Sequence, residues 1–582
     1  MGTFVADFET TTNPSDCRVW AYAICEVGNE DNNIVGTTID DFMKWCKESK
    51  ENHKVLFHNL KFDGQFIMSW LFKNNFIHTT DKYEKNTNTF NTLISDEGLY
   101  YQIEVIFYRK GKNVNKVVFQ DSLKLIPLSV DAIAKAFKMD ISKLEIDYNT
   151  HNNLPYGAEI SKEEEEYIKH DVKIVARAVE YFYSQGLNKM TIGSCALDEY
   201  KNLIQKRHFK RYFPEPKAEY HNDVRQSYRG GFTYLNPKFA SKVVNNGIVL
   251  DVNSLYPSVM YDSDLPFGTP IFFKGEYKKD EIYPLYTQMI RCQFEIKKGK
   301  IPTIQIKHGY DFVSNEYLES SNGMEVVLCL NSVDLELFLD HYEVYNLEYI
   351  SGWKFKSTKG LFNEYIDKWS NNKIKAKAEG NHGLYLISKL FLNSLYGKFG
   401  TDIRVRSKIP YMGEDNTLHF KDGEVETRPG IYIAMASFIT SYARRKTITS
   451  AQTIMDNYNK GLSNIQFVYA DTDSLHCISP DFELPRGLDI DPYKLGAWKY
   501  ESKFNKAKFL RQKCYIENST EEIEEENPDF KLKITVSGMP KGCYPYVNFN
   551  NFKIGATYKG KKTPKLVPGG CVLSEVDFTI KE

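Results

Sequence analysis

At 582 residues, 42% hydrophobic and 26% charged, the chain has the length for about three to five domains and the balance of an ordinary globular protein. A net charge of −1 excludes a uniformly basic nucleic-acid binder, and no apolar run nears the ~18 residues of a membrane span. The first residues carry neither a basic n-region nor an apolar h-region, so no secretory signal is expected; ten scattered cysteines without a CxxC pair read as reduced thiols.

In chain order, Thr3-Phe4-Val5-Ala6-Asp7-Phe8-Glu9-Thr10-Thr11 reads as a strand. Residues two apart on a strand share a face, so Asp7 and Glu9 lie side by side. Paired carboxylates repel unless a cation sits between them, and a divalent metal is the usual one; alone, the pair reads as a polar strand face. Apolar Val55-Leu56-Phe57 then runs into His58-Asn59-Leu60-Lys61-Phe62-Asp63-Gly64, where a strand ends and a turn or helix begins. Ser161 and Glu164 form a capping box, and a helical pattern continues to about Tyr183. Tyr167 and Asp171 share one face of that helix. Taken alone, Lys143 reads as a solvated lysine and His170 as a surface residue.

A buried strand ending in Asp251 leads into Val252-Asn253-Ser254-Leu255-Tyr256-Pro257, with Pro257 marking a turn. Lys389, Asn393 and Tyr396 recur at helical spacing and form one stripe. Val468-Tyr469-Ala470-Asp471-Thr472-Asp473-Ser474 again runs from apolar strand residues into an acidic turn. Nucleotidyl transfer unites a 3′-hydroxyl, an α-phosphate and a leaving pyrophosphate, and two Mg2+ ions lower the hydroxyl pKa and neutralise phosphate charge. That chemistry needs carboxylates on rigid strands: Asp251 and Asp473 as direct ligands, Asp471 in support. It also needs cations for the triphosphate. Each block has a plain reading, such as an acidic turn, a helix cap at Gly397 or a core tyrosine; the conjunction of blocks defeats those readings. Basic clusters with aromatics interleaved occur at 206–212, 506–513 and 558–565, and acidic runs at 163–166 and 521–526.

Asp7, Glu9, Asp63 and Asp171, with Tyr167 beside the last, resemble the tyrosine-type DEDD exonucleases. The resemblance implies two metal ions at these carboxylates, with Tyr167 orienting the attacking water and Lys143 as an auxiliary catalytic lysine. It also implies His58, Asn59, Phe62, Ser122, Leu123 and Tyr148 as single-strand ligands. The blocks at Asp251, Lys389 and Asp471-Thr472-Asp473 resemble motifs A, B and C of family B DNA polymerases, and more closely the protein-primed subgroup, over about residues 3–575. By this resemblance Asp251, Val252 and Asp473 hold metal, and Tyr256 is the gate against ribonucleotides. Tyr396 packs near the nascent base pair, Lys389 and Lys375 contact the triphosphate, and Asn393 completes the stripe. Tyr228, Gly230 and Gly231 contact template, and Lys513 and Tyr515 grip the primer terminus. Tyr385 falls near the subgroup's middle finger lysine.

The implied fold is an α+β multidomain one: an RNase H-like 3′-5′ exonuclease domain plus a right-hand polymerase with two subgroup insertions. The expected boundaries are exonuclease 1–190, palm 191–261, palm remainder and first insertion 262–359, fingers 360–399, second insertion 400–427, palm 428–532 and thumb 533–582. The first insertion proper spans about 304–359, opening at Ile301-Pro302-Thr303-Ile304-Gln305-Ile306-Lys307. The second, with turn signals at 413–416 and 421–423, reads as a β-hairpin. The expectation is a proofreading DNA-directed DNA polymerase, replicating a linear genome with Mg2+, or Mn2+ in its place, two ions at each site. By resemblance the partners are primer-template DNA, dNTPs and a terminal protein as primer, and the second insertion encircles DNA, giving processivity and strand displacement. A monomer away from membranes, in the cytoplasm of a bacterial host, is expected. Two alternatives are a stand-alone DEDD nuclease with a nucleic-acid-binding C-terminal region and a family B polymerase that does not use protein priming. A third is a DNA-binding protein without chemistry.

Overall fold

The computed structural model describes residues 2–48, 52–81, 84–215, 217–306, 316–519 and 532–581. Lys307, the rest of 307–315 in the first expected insertion, and the acidic run 521–526 lie outside the described residues.

An eight-stranded mixed sheet fills the N-terminal part. At its centre Gly2–Thr10 runs parallel to His53–Phe57, which runs parallel to Asn113–Asp121. The antiparallel neighbour Val19–Glu26 is apolar almost throughout because both its faces are covered. Trp20, Ala23 and Cys25 join one core with the helix Lys162–Ser184, while Val19, Tyr22 and Ile24 join another with the helix Ile39–Glu48. The capping box at Ser161 forms as expected: the Glu164 N–H donates to Ser161 Oγ (3.2 Å), and the Ser161 N–H to the Glu164 carboxylate (2.8 Å). Such a cap stabilises a helix start by about 1 kcal/mol.

A seven-stranded antiparallel sheet holds the second carboxylate set, in the order Lys533–Val536, Cys514–Ser519, Trp498–Arg511, Val243–Val252, Ser474–Ile478, Gln466–Asp471, Thr233–Leu235. The long helix Ile433–Asn459 packs against its motif C strands and is buried along most of its length. Its small alanine, serine and threonine side chains permit close approach. Its hydroxyls are satisfied by bonding back, as Thr440 Oγ1 donates to the Ala436 carbonyl (3.0 Å) and Ser441 Oγ to that of Ser437 (2.8 Å).

The region of the first insertion shares a four-stranded sheet with strands that precede it: Leu265–Lys274, Tyr342–Thr358, Leu285–Ile296, Val326–Asn331. Two helices follow, Asn363–Glu379 and His382–Phe399, reversed through Gly380 at φ 69. Next comes the hairpin Arg404–Met412 and Leu418–Thr427, as the turn signals at 413–416 predict; the Gly413 N–H donates to the Thr417 carbonyl (2.9 Å). A second hairpin, Thr557–Val567 and Gly570–Thr579, ends the chain.

Both hairpins dock on the N-terminal module. The Asp96 N–H donates to the Arg406 carbonyl (3.1 Å), and Leu418, Val567, Cys571 and Val572 share a core with Phe66 and Met68. A side chain at Gly569 would place Cβ 2.4 Å from the Cys17 carbonyl oxygen, so the C-terminal turn fits only as glycine. The ten cysteines are buried and free, and among the described residues no helix is long and apolar enough to cross a membrane.

Two candidate active sites

The N-terminal carboxylates converge from three elements. Asp7 and Glu9 share one face of Gly2–Thr10, Asp63 sits in the first turn of Leu60–Lys73, and Asp171 stands one turn beyond Tyr167 on Lys162–Ser184. Glu9, Asp63 and Asp171 are 6%, 3% and 3% exposed, and the Asp63 and Asp171 Oδ1 atoms have no hydrogen-bond partner. Burial, reinforced by Asp171, pushes Asp7 up to about 7. Burial and then the neighbouring Asp7 raise Glu9 and Asp63 well above the usual carboxylate range. Burial also raises Asp171, against the pull of Lys143. Lys143 Nζ lies 2.5 Å from Asp171 Oδ2; burial works to lower its pKa, but Asp171 outweighs it and holds the ammonium. Lys143 is therefore tied into the cluster, where the resemblance put it, and is not the solvated side chain that it is when read without the resemblance. His170 is likewise more than a surface residue: its Nδ1 lies 3.1 Å from the Ser142 carbonyl oxygen and braces the loop that presents Lys143.

The expected single-strand ligands divide into two groups. Tyr148 is 45% exposed with its hydroxyl 3.1 Å from that of Tyr167, and Asn59, at φ 85, projects at the start of Leu60–Lys73. The Asn59 and Leu123 N–H groups both donate to Asp121 Oδ1, at 3.1 and 3.0 Å, so a buried carboxylate that sequence reasoning missed holds two of these residues. Phe62 is half-buried, packed 5.7 Å from Phe66. Ser122 is buried, and its hydroxyl donates to the Phe57 carbonyl (3.1 Å). His58 spans Ser122 Oγ (2.9 Å) and the Leu128 carbonyl oxygen (2.6 Å). In this geometry Ser122 and His58 shape the cleft from beneath.

In the second sheet Asp251 and Asp471 are both paired with Ser474 across the ladder, bringing motifs A and C edge to edge. Thr472, at φ 61, turns the chain so that the Asp473 carbonyl accepts from the Val252 N–H (2.8 Å). Burial, with repulsion from Asp473, raises Asp251 to about 6, opposed by Lys499, whose Nζ is 3.3 Å away. Burial first, then Asp471 and Glu501, raise Asp473. Asp471 is tied differently: Lys513 Nζ lies 3.2 Å from Oδ1, and the Tyr469 hydroxyl donates to Oδ2 at 3.3 Å. The same hydroxyl accepts from the Lys513 N–H at 2.9 Å, and Tyr515 packs on Tyr469. Gly231 abuts Thr472, where a Cβ would meet the threonine side chain at 2.6 Å. Tyr228 presses on Gly400, and Gly230 is open.

The helix His382–Phe399 presents Lys389, Asn393 and Tyr396, and the Tyr396 ring stacks on Tyr256 at 4.1 Å. Lys375 does not join this group: its side chain is 68% exposed and its Nζ lies 3.9 Å from Glu379. Lys373 does. Burial and then the nearby Lys389 and Lys499 lower its pKa, which places it between the helix stripe and Asp251. Two residues turn a helix by about 200°, so Lys373 and Lys375 face opposite ways. Sequence supplies three alternating lysines, Lys373, Lys375 and Lys377, and no signal that selects one.

Among the described residues no three His, Cys, Asp or Glu side chains close into a ready metal cage. The donor sets nonetheless suit hard divalent ions. Both consist of carboxylates raised first by burial and then by mutual repulsion, and the first has two orphaned buried oxygens. Repulsion that keeps such groups apart is what a cation would relieve.

The model of the family described as "DNA polymerase type B, organellar and viral" matches residues 46–159 and 150–484. The DNA polymerases of Bacillus phages M2 and phi29 are each 44% identical, covering 99% of both chains, and that of Streptococcus phage Cp-1 is 33% identical over 100% of this chain and 98% of its own. A solved structure of phi29 DNA polymerase with primer-template DNA and incoming nucleotides superposes with a TM-score of 0.92, at 43% identity over 100% of each chain. Its architecture is therefore that of a family B polymerase, with exonuclease, palm, fingers and thumb. The protein belongs to the phi29-type group of family B DNA polymerases and is a DNA-directed DNA polymerase.

Proposed function

We propose that the chain extends a primer at Asp251 and Asp473 and proofreads at Asp7, Glu9, Asp63 and Asp171. The observation that carries this is the presence of two separate sets of pKa-raised carboxylates, a largely buried one in the N-terminal module and a half-buried one on the seven-stranded sheet. Asp251, the Val252 carbonyl and Asp473 hold divalent metal in the palm; the four N-terminal carboxylates hold it in the exonuclease module. Mg2+ is the ion expected, two at each site, and it supplies charge neutralisation and Lewis acidity. The chain supplies the rest. Lys389 and Lys373 bind the triphosphate, and the Tyr256–Tyr396 stack walls the nucleotide sugar and base. Lys513, fixed through Tyr469 and Asp471, holds the primer terminus, and the Tyr228-Arg229-Gly230-Gly231 loop holds the template. In the exonuclease module Tyr167, kept as a neutral phenol by burial and by Glu9, orients a water, and Lys143 steadies Asp171.

The relatives solved with primer-template DNA and nucleotides support these partners. The phage source of the relatives supports action in the cytoplasm of a bacterial host. Docking of both hairpins on the exonuclease module supports strand displacement by a monomer that surrounds DNA. The boundaries 1–190, 191–261, 262–359, 360–399, 400–427, 428–532 and 533–582 stay part of this proposal, although 261 falls inside the helix Leu255–Asp262 and Lys533–Val536 is a strand of the seven-stranded sheet. Membership of the phi29 group supports initiation on a hydroxyl of a terminal protein. The deciding experiment extends a 5′-labelled primer on circular single-stranded template with Mg2+. Growth beyond one template length with dNTPs, and shortening without them, is expected. Shortening alone would leave a nuclease. A cognate partner labelled with the first dNMP tests priming, and its absence with origin DNA and active enzyme leaves a polymerase that starts otherwise.

A further inference from the structure

Two residues beyond Tyr396, Lys398 points to the opposite side of the helix His382–Phe399, away from the nucleotide stripe. There a cavity of about 300 Å3 is lined by Lys189, Ser194, Lys201, Lys398, Thr401 and Ile431. Its acidic neighbours are already engaged: Asp198 lies 3.6 Å from Lys189, and Asp402 lies 3.0 Å from Arg225. Lys398 reaches only Ser194 Oγ, at 3.4 Å, and Lys201 lies over the Phe209 ring at 4.7 Å. Among the described residues Lys201, Lys206, Lys210 and Lys398 form no ion pair. They are close enough to disturb one another. Burial and then Lys201 lower Lys398; burial lowers Lys201, with Lys206 and Lys210 adding to the effect and Asp198 opposing it. The result is a strip of lysines outside any ion pair among the described residues, opposed at Lys201 by Asp198, that leaves the cavity, crosses the helix Ile192–Leu203 and continues onto the exposed helix Lys206–Tyr212.

Lysines gathered with more positive than negative charge suit a polyanion. The strip lies behind the helix, so neither the triphosphate nor the primer terminus reaches it. It does adjoin the template loop: the Arg225 guanidinium donates to the Gly400 carbonyl (3.0 Å), and Tyr228 packs on the same glycine. We propose that Lys201, Lys206 and Lys210 form a phosphate track for the unpaired template strand on its way to the polymerase site. The proposal rests on the template-binding reading of the Tyr228 loop.

The test is equilibrium binding of the full chain to two primer-templates, one with a single unpaired template nucleotide and one with a long unpaired template tail, across a salt series. K206Q/K210Q changes exposed side chains only, and adding K201Q completes the track. The wild type should bind the long-tailed DNA more tightly. The double variant should lose most of that advantage and keep its affinity for the short-tailed DNA. Its salt dependence on the long tail should fall by about 0.7 log units per log unit of salt for each phosphate that the variant no longer neutralises. Equal weakening on both DNAs would overturn the track, as would no change on either. Weakening that appears only when a displaced second strand is present would assign the strip to that strand instead. Incorporation of one nucleotide on the short-tailed DNA separates the two readings. If the wild type fails there, the polymerase assignment is at fault; if only the tail effect is missing, the track is.

Discussion

Arg444 donates from one guanidinium nitrogen to the carbonyl oxygens of both Arg229 and Gly230, each at 2.7 Å, while its other terminal nitrogen pairs with Asp334. A buried arginine on the long helix thus holds the main chain of the Tyr228-Arg229-Gly230-Gly231 loop and ties it to the helix Ser332–His341, inside the expected first insertion. Breaking one side of a buried pair typically costs about 3–5 kcal/mol. Arg444→Lys keeps a charge but loses the fork, so it should lower thermal stability modestly and weaken primer-template binding. Asp334→Asn should do the same. Band-shift titration beside thermal unfolding checks this; unchanged DNA affinity in a destabilised Arg444→Lys protein would assign Arg444 to folding alone.

The two carboxylate sets should be separable. Asp251→Asn and Asp473→Asn should reduce extension by at least about a thousandfold while leaving degradation of a labelled single strand near wild type. Asp7→Asn, Asp63→Asn and Asp171→Asn should do the reverse. Both activities measured on one preparation decide it, and joint loss in folded protein would deny two sites.

Lys373 and Lys375 offer a sharper test of the fingers. Lys373→Gln should raise the KM for dNTP by about tenfold, the scale of one charge-assisted hydrogen bond. Lys375→Gln, on the solvent face, should leave it unchanged. Steady-state incorporation on a primed template gives both values.

Metal-free stability should depend on pH with a definite sign. Asp7 titrates near 7 in the folded chain and near the ordinary aspartate value of 3.8 when unfolded. Protonation therefore favours the folded form, and that stabilisation is present below the unfolded value and lost as pH rises through about 7. In EDTA the melting temperature should fall between about pH 4 and pH 7 and level off above, and Mg2+ should restore it most at the upper end. Asp7→Asn should be more stable than wild type in EDTA at about pH 8, by ~1–2 kcal/mol, and gain less from Mg2+.

His476 and Glu517 form a fully buried pair, Nδ1 to Oε1 at 2.6 Å, walled by Tyr469, Phe509 and Tyr515. It braces motif C against the strand that carries Tyr515. Glu517→Ala should destabilise the fold by about 3–5 kcal/mol, and Glu517→Gln, which keeps the hydrogen bond, by less. In the glutamine variant the ratio of degradation to extension should rise as the primer grip loosens. A ratio equal to wild type would reduce the pair to core packing.

Much of this architecture was legible because local pattern marks apolar strands at Asp7 and before Asp251 and Asp473, and helix signals at Asp63 and Asp171. Asp7, Asp63, Asp171, Asp251 and Asp473 all stand where local pattern put them, and the capping box and the hairpin at 413–416 followed from turn and cap chemistry. What escaped were residues defined by packing across elements. Lys499 matters because the ladder pairs its strand with that of Asp251, and Asp121 because two N–H groups from separate segments meet it. Lys373 differs from Lys375 only in which way the helix faces. His170 braces the loop 141–148 against the helix of Asp171, a role that the local sequence does not mark. None of these has a local signature, since each depends on register or docking fixed by the whole fold.

The anchoring of both hairpins on the N-terminal module has a kinetic corollary. Each is a strap fastened at two ends, within one molecule, by the core around Phe66, Leu418 and Val572. Opening is then a unimolecular event whose rate is set by the free energy of that shared core, and diluting the protein does not hasten it. On the proposal that the straps surround DNA, a duplex with an end is threaded and lost by sliding off, whereas a covalently closed circle is released only when a strap lets go.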